Sequence, residues 1–212
     1  IVVGKALRKE WAALLPPKYE KIHVVSLTEK QQELYRVLLG EVLEEIQSNK
    51  ALMQKLRQYK ESTEENLSEV EETGDEDTLA SMLAVYLQKL EIFTAAPYET
   101  NIGKILQGED RISPKVRKVL DIVKDHIEED IPGKIIIYCQ NIAVAEAIYK
   151  ASKLPEYNLQ ESGILYKAAE KYIHIDKFEK EDSKKWMVGV ETSMNTGLNL
   201  QMASRLIRIQ YT

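Results

Sequence analysis

The stretch 191–201 is the part of the sequence best suited to bind a ligand. It reads Glu-Thr-Ser-Met-Asn-Thr-Gly-Leu-Asn-Leu-Gln and gathers hydroxyl and amide side chains around Gly197. It follows the apolar run 186–190, which predicts a buried strand. Ligands of open α/β sheets bind at the carboxyl ends of the strands, and backbone amides and hydroxyls there can hold phosphate oxygens without a net positive charge. The alternative is a polar turn that leads into a short helix.

No second centre of chemistry is visible. The sequence contains neither a Gly-x-x-x-x-Gly-Lys-Ser/Thr loop nor a Gly-x-Gly-x-x-Gly sequence, so the two common self-contained nucleotide sites are absent. His23, His126 and His174 lack metal-ligand spacing and are predicted to be structural or to face solvent. Cys139 ends an apolar run and is predicted to be a packed, unreactive thiol. The many carboxylates single out no general acid–base pair.

Composition narrows the class of protein. The chain has 212 residues, of which 44% are hydrophobic and 30% charged, enough for one packed domain of ordinary size or one domain with an added subdomain. Its formal charge of −5 excludes a broadly basic nucleic-acid coat, so any phosphate contact must be local. The single cysteine excludes an internal disulfide, and no apolar run approaches the roughly 20 residues that span a bilayer. We therefore expect an intracellular protein, cytoplasmic or nuclear, that is neither secreted nor membrane-bound.

The C-terminal half predicts an open parallel sheet. The run 134–139 is continuously apolar and rich in isoleucine, as strands buried on both faces are. The runs 186–190 and 205–211 predict two more strands. Ser113 followed by Pro114 is a helix-start signal ahead of the first of them. Strand, helix, strand, turn and strand in this order are typical of an α/β fold.

The N-terminal half is predicted to be mostly helical. The run 22–27 predicts a first strand, and Thr28 with Gln31 has the spacing of a capping box at the start of a long helix. Residues 60–78 are acidic and nearly free of apolar side chains, which predicts a solvated connector, with an acidic docking tail as the alternative. Residues 79–93 predict another helix.

In their order, these segments resemble the second RecA-like lobe of the SWI/SNF-type helicase-like ATPases of helicase superfamily two. The matching segments are Leu15-Pro16-Pro17-Lys18, Leu27-Thr28-x-x-Gln31-x-x-Leu34-Tyr35, Leu87-x-x-Leu90 with Pro97, Ser113-Pro114-Lys115, 134–140 as motif IV, Lys171 with Ile175 and Phe178, and Gly197-Leu198-Asn199-Leu200-Gln201-x-Ala203 as motif V. The series covers most of residues 5–211. Ser193-Met194-Asn195 stands where the family has Ala-Gly-Gly, and Gln210 where it has Asp, which favours a divergent member, such as a viral one.

The resemblance implies an α/β fold with a RecA-like parallel sheet flanked by helices and a helical protrusion inserted in the N-terminal half. Residues 1–21 would then lead in from a preceding lobe, and 22–97 would hold the first strand and the protrusion. Residues 98–212 would form the second-lobe core, truncated before motif VI. ATP and Mg²⁺ would be bound jointly with a missing first lobe, so we expect the fragment alone to hydrolyse no ATP.

The resemblance also implies double-stranded DNA as a partner, beside the first lobe of the same chain and a protein partner on the protrusion. The implied nucleic-acid contacts are Gln140, Thr192, Ser193, Asn195 and Lys115, and the residues implied to couple ATP to DNA are Gly197, Asn199 and Gln201. A helix cap is the alternative role for Asn199, and ordinary solvent exposure is the alternative for Gln201 and Lys115.

Two other classes of function stay open. A degenerate RecA-like lobe could act as a non-enzymatic protein-interaction scaffold, and the departures at 193–195 and Gln210 favour this class more than an intact motif would. A small-molecule α/β enzyme is the third class, and the sequence offers no catalytic pair for it.

Overall fold

The computed structural model describes residues 19–65, 74–194 and 202–209, with side chains described there except at 58–65 and 74–79. The helices are α1 (Glu29–Ser48), α2 (Lys50–Glu65), α3 (Gly74–Ala95), α4 (Pro114–Glu128), α5 (Ile142–Ala151), α6 (Lys171–Lys180) and the short α7 (Glu191–Met194). The strands are β1 (Lys134–Cys139), β2 (Gly163–Leu165), β3 (Trp186–Val190) and β4 (Ala203–Arg208). Short 3₁₀ turns connect α3 to α4 and precede α6.

The four strands form one sheet in the order β2-β3-β1-β4, and every neighbouring pair is parallel. Ile135 of β1 lies opposite Trp186 of β3 and Arg205 of β4. The predicted α/β class with a parallel sheet is therefore confirmed. β4 begins two residues before the predicted run 205–211, and the last residues of that run lie outside the described part of the chain.

Strand β1 is buried along its whole length, because apolar side chains cover both faces of the sheet. On one face Ile135 and Ile137 pack with α4 and α5, and on the other Ile136 packs with Phe178 of α6. Trp186 is fully buried, and its Nε1 donates to the Leu159 carbonyl at 3.0 Å. Such two-sided burial explains why a continuous apolar run predicted β1 correctly.

Helix α4 begins as its sequence predicts. The Ser113 hydroxyl oxygen accepts a hydrogen bond from the Val116 amide at 3.1 Å and donates to the Ala95 carbonyl at 2.6 Å. Pro114 occupies the first turn, where its missing N–H costs no intrahelical bond. The same serine therefore caps α4 and fixes it to the end of α3.

Helices α1 and α3 pack through a small apolar cluster that includes Leu38, Val42 and Phe93. Thr28 and Gln31 form the predicted capping box at the start of α1. Gln31 is fully buried, and its amide donates to the Asp110 carbonyl at 2.6 Å. One residue thus caps α1 and ties the helical segment to the loop before α4.

One local prediction was wrong, and a second applies to fewer residues than predicted. Residues 22–27 form no strand, and Ile22 and Val24 lie 87% and 85% exposed. The β-branched side chains favour extended backbone, but a strand also needs a hydrogen-bonded neighbour, and the described residues provide none here. The predicted connector 60–78 is partly helical, because α2 continues to Glu65 and α3 begins at Gly74. Its glutamates and its single lysine, Lys60, are good helix formers even without an apolar face.

Lys134 is a buried lysine at the start of β1. Its ammonium group donates to the Phe178 carbonyl and, at 2.9 Å, to the Glu181 carbonyl at the end of α6. Burial lowers the pKa of Lys134, and Asp182 and Glu181 oppose that shift. The side chain therefore closes the free carbonyls of α6 and fixes this helix to the sheet.

The Gly163→Ala substitution should destabilise the fold, because a Cβ at this position would lie 2.2 Å from the Trp186 ring. We expect a loss of about 1–3 kcal/mol in the free energy of unfolding, as overpacked cores show. Gly40→Ala is the matched control. Gly40 lies inside α1 with nothing within 4 Å of a new Cβ, so alanine should stabilise by about 0.5–1 kcal/mol. Urea denaturation measures both, and equal effects at the two sites would contradict the packing around Trp186.

Candidate functional site

The carboxyl ends of all four strands lie at one edge of the sheet because every pair is parallel. Gln140 follows β1, Tyr166 follows β2, and Glu191 follows β3. The predicted residues Gln140, Thr192 and Ser193 therefore fall on the same edge. Gln140 and Thr192 are exposed, and Ser193 is half-buried.

The turn after β3 is the short helix α7, which is held from both sides. The Tyr166 hydroxyl donates to the Ser193 carbonyl at 3.2 Å. Met194 is fully buried in the cluster that contains Ile136 and Phe178. A Cβ on Gly189 would lie 2.6 Å from the Met194 sulfur, so this glycine makes room for the methionine. The position of Thr192 and Ser193 is therefore fixed by packing of the residue that follows them.

An ion pair joins the ends of β3 and β4. The Arg208 guanidinium donates to a Glu191 carboxylate oxygen at 2.5 Å. Burial raises the pKa of Tyr138, and the Glu191 carboxylate adds to this shift while Arg208 opposes it. Arg208 thus offsets the negative charge that Glu191 would otherwise present at this edge.

A cavity of about 330 Å³ opens between the loops that follow β1, β2 and β3. Its lining residues are Ile142, Tyr166, Lys167, Ala168, Ala169, Val190 and Ser193. The cavity combines an apolar wall with the ammonium group of Lys167 and the hydroxyl groups of Tyr166 and Ser193. Nothing in the sequence pattern singled out Tyr166 or Lys167, because β2 has only three residues and was not predicted.

His174 on α6 orients the loop that carries Lys167. Its Nδ1 accepts a hydrogen bond from the Lys167 amide at 3.1 Å, while its Nε2 lies 3.3 Å from Glu170. Burial lowers the pKa of His174, and Lys177 and Lys167 also lower it, whereas Glu170 opposes the shift. An Nδ1 that accepts a hydrogen bond requires the neutral ring, so the low pKa and the contact agree.

The remaining predicted site residues lie elsewhere. Lys115 is half-buried in the first turn of α4, where burial lowers its pKa and the Glu91 carboxylate raises it. The charge that acts on Lys115 therefore belongs to α3. Asn195, Gly197, Asn199 and Gln201 lie outside the described residues, so their roles stay predictions.

The residues predicted to be inert fit that description. Burial raises the pKa of the Cys139 thiol to about 12, so it is not a thiolate at neutral pH. His126 is buried, with its Nε2 3.0 Å from the Gly133 carbonyl. Within the described ranges no group of His, Cys, Asp and Glu side chains could hold a metal ion.

Comparison with known proteins gives matches at the level of structure. No family model and no curated protein sequence matches the chain. A Sulfolobus solfataricus SWI2/SNF2 ATPase C-terminal domain aligns over 86% of this chain and 67% of its own, at 20% identity and a TM-score of 0.55. The C-terminal part of the Fun30 ATPase domain aligns over 93% of this chain and 77% of its own, at 16% identity and a TM-score of 0.56.

The chain has the fold of a SWI2/SNF2 ATPase C-terminal domain. The RecA-like character implied by the sequence resemblance is therefore confirmed. The Sulfolobus solfataricus SWI2/SNF2 ATPase core in complex with dsDNA also matches, at 20% identity and a TM-score of 0.55 over 86% of this chain. This chain covers 33% of that core. Separately, no described helix is both long and apolar enough to cross a membrane.

In this SWI2/SNF2-type fold, the packing of Met194 explains one departure from the family pattern. Met194 stands where the family has a glycine, and here its side chain fills the space above Gly189 and beside Tyr166. The change therefore converts a small position of the motif into a core residue. It leaves Thr192 exposed at the sheet edge.

His174 should make the stability of this fold depend on pH. Its pKa in the folded protein lies below the ordinary 6.5, so the unfolded chain binds more protons as the pH falls below 6.5. The contribution of His174 is then complete above pH 6.5 and is lost as the pH falls through the folded pKa. Urea unfolding between pH 5 and 7.5 measures it, and His174→Asn, which keeps an acceptor without titrating, should flatten that part of the profile. An NMR titration midpoint for His174 above 6.5 would contradict this assignment.

Proposed function

We propose that this chain is the second lobe of an ATP-dependent double-stranded-DNA translocase, and that the carboxyl edge of its sheet binds the DNA backbone. The observation that carries the proposal is the convergence of Gln140, Thr192 and Ser193 at one edge of a SWI2/SNF2-type fold. The similar Sulfolobus solfataricus ATPase core in complex with dsDNA supports the choice of ligand.

The chemistry of this edge suits phosphate oxygens better than bases. Exposed amide and hydroxyl groups donate hydrogen bonds to phosphates, and such contacts position a protein on DNA without reading its sequence. The chain carries a net charge of −5, so the attraction must be local. Neutralisation of Glu191 by Arg208 removes one source of repulsion at this edge.

Nucleotide binding, in this proposal, is shared between two lobes. Hydroxyl and amide donors of the kind found after β3 fit the phosphates of ATP. Among the described residues, no cluster of carboxylates could hold Mg²⁺. Glu191, the carboxylate that follows β3, pairs with Arg208. Gly197, Asn199 and Gln201, which lie outside the described residues, would couple the nucleotide to DNA, and Mg²⁺ would arrive with ATP and the first lobe. Phosphoryl transfer requires charges placed around the γ-phosphate, so this chain alone should hydrolyse no ATP at a useful rate.

A protein-interaction scaffold is the second candidate function. Helices α1 and α3 form an apolar groove of about 200 Å³, and Leu43 and Leu87 beside it are 49% and 56% exposed. Exposed apolar side chains on a helical protrusion suit a protein partner better than a phosphate backbone. This candidate predicts binding at the groove with no dependence on the sheet edge.

Duplex binding by the 212-residue chain tests the first proposal. Fluorescence anisotropy with a labelled duplex should show affinity that is independent of sequence and falls steeply as salt rises, because counterions are released from the phosphates. Gln140→Ala and Thr192→Ala should each weaken binding by roughly tenfold, the effect of losing one hydrogen bond to a charged group.

Gln47→Ala is the matched control, because Gln47 is an exposed glutamine of α1. It should leave the affinity unchanged. Binding that is insensitive to salt, or equal losses in all three variants, would contradict backbone recognition at the sheet edge. Stimulation of ATP hydrolysis by duplex DNA in the two-lobe protein would then separate a motor from a scaffold.

A further inference from the structure

We infer that the 330 Å³ cavity at the sheet edge is a subsite for one deoxyribose-phosphate unit of a DNA strand, with Lys167 binding the phosphate and an apolar wall receiving the sugar. The inference rests on the proposed function and adds two things to it. It names a cation that the sequence motifs do not contain, and it gives the edge a preference for DNA over RNA.

The size of the cavity suits a fragment of a polymer. Its volume is at the low end of the roughly 300–1,000 Å³ of small-molecule pockets. It opens between the loops after β1, β2 and β3, so a strand crossing the carboxyl edge would pass over it. One backbone unit can enter while neighbouring units of the strand reach Gln140 and Thr192 at the same edge.

Lys167 has the position and the availability that a phosphate ligand needs. Its side chain is exposed at the cavity, and it forms no ion pair with residues in the described ranges. The backbone of Lys167 is held by His174, whose Nδ1 accepts a hydrogen bond from the Lys167 amide at 3.1 Å. Glu170, the acid nearest in sequence, pairs instead with His174, whose Nε2 lies 3.3 Å from the Glu170 carboxylate. The Lys167 backbone is thus held in place by His174, while its ammonium charge is not neutralised by a described carboxylate.

Ser193 supplies the second polar group of the subsite. Its carbonyl is occupied by the Tyr166 hydroxyl at 3.2 Å, which fixes the residue at the cavity. Its own hydroxyl makes no hydrogen bond to any residue that the structure describes. A phosphate between Lys167 and Ser193 would receive one charge-assisted bond and one neutral bond.

The apolar wall of the cavity exposes hydrophobic side chains to water, and a bound sugar would cover them. Ile142, at the first position of α5, is 46% exposed beside Val190 and Ala168. A deoxyribose ring can pack on such a wall. The 2′-hydroxyl of ribose would meet no hydrogen-bond partner there, and burying it unpaired is costly. This hydroxyl is the group that distinguishes RNA from DNA.

The phosphate half of the inference is tested with Lys167→Met. Anisotropy of the 212-residue chain on a labelled DNA duplex should show weaker binding for all sequences, and the slope of log K against log salt should fall by about 0.9, the value for one lost phosphate contact. Lys153→Met is the matched control. Lys153 is exposed after the C-terminus of α5, at the opposite edge of the sheet, with its ammonium 5.6 Å from the Tyr149 ring, and its loss should leave the slope unchanged.

The sugar half is tested with three duplexes of one sequence, in which one strand is DNA, RNA or 2′-fluoro-substituted. The 2′-fluoro strand has an RNA-like sugar shape without the hydroxyl, so it separates shape from hydrogen bonding. The wild type should bind the RNA-containing duplex roughly tenfold more weakly than the other two, because the hydroxyl is desolvated without a partner. Ile142→Ser should remove most of this preference, and Ile173→Ser, which changes a 55%-exposed isoleucine of α6, should not.

The outcomes separate the two claims. Salt-dependent duplex binding that Lys167→Met leaves unchanged would overturn the phosphate subsite while the proposed function stands. Equal binding of the three duplexes by the wild type would overturn the sugar assignment. Absence of duplex binding by a folded wild type, judged by circular dichroism, would overturn both the subsite and the proposed function.

Discussion

Parallel pairing of β1 with β3 and β4 is the constraint on which the rest of the structure depends. It places the loops after all the strands at one edge, and it buries β1 on both faces between α4 and α5 on one side and α6 on the other. An antiparallel neighbour would send its following loop to the opposite edge and divide the site. The exposed donors Gln140 and Thr192 are neighbours because of this topology, although they are 52 positions apart in the chain.

Met194 fixes the position of α7, the turn that follows β3. A four-residue helix has little stability of its own, and α7 is held because Met194 packs over Gly189 and the Tyr166 hydroxyl bonds Ser193. Met194, one of the residues that depart from the family pattern, therefore anchors α7. The exposed Thr192, which we propose as a ligand contact, precedes the methionine in sequence and stays at the same edge.

The sequence predicted those features that depend on local pattern. The strand 134–139 was recognisable because burial on both faces leaves no polar position, and the starts of α1 and α4 because Thr28 and Ser113 have capping chemistry. The strand predicted at 22–27 failed because its existence depends on a neighbour that a local pattern does not contain. Thr192 and Ser193 lie at the carboxyl end of β3 as predicted, because they follow a strand directly, and their role in binding stays a prediction.

Features that depend on which strands are neighbours were missed. Tyr166 and Lys167 reach the site through β2, whose three residues are too short to give a periodic signal. Arg208 meets Glu191 only because β4 and β3 both flank β1. A parallel sheet brings such residues together, and their spacing in the chain gives no hint of it.

We propose the carboxyl edge as the ligand surface, separate from the groove between α1 and α3. Amide NMR of the ¹⁵N-labelled chain, titrated with unlabelled duplex DNA at low salt, tests this most directly. We expect the largest shifts at Gln140, at 166–169 and at 191–194, and small shifts along α1 and α3. Shifts confined to the groove beside Leu43 and Leu87, or none at the sheet edge at saturating duplex, would contradict it.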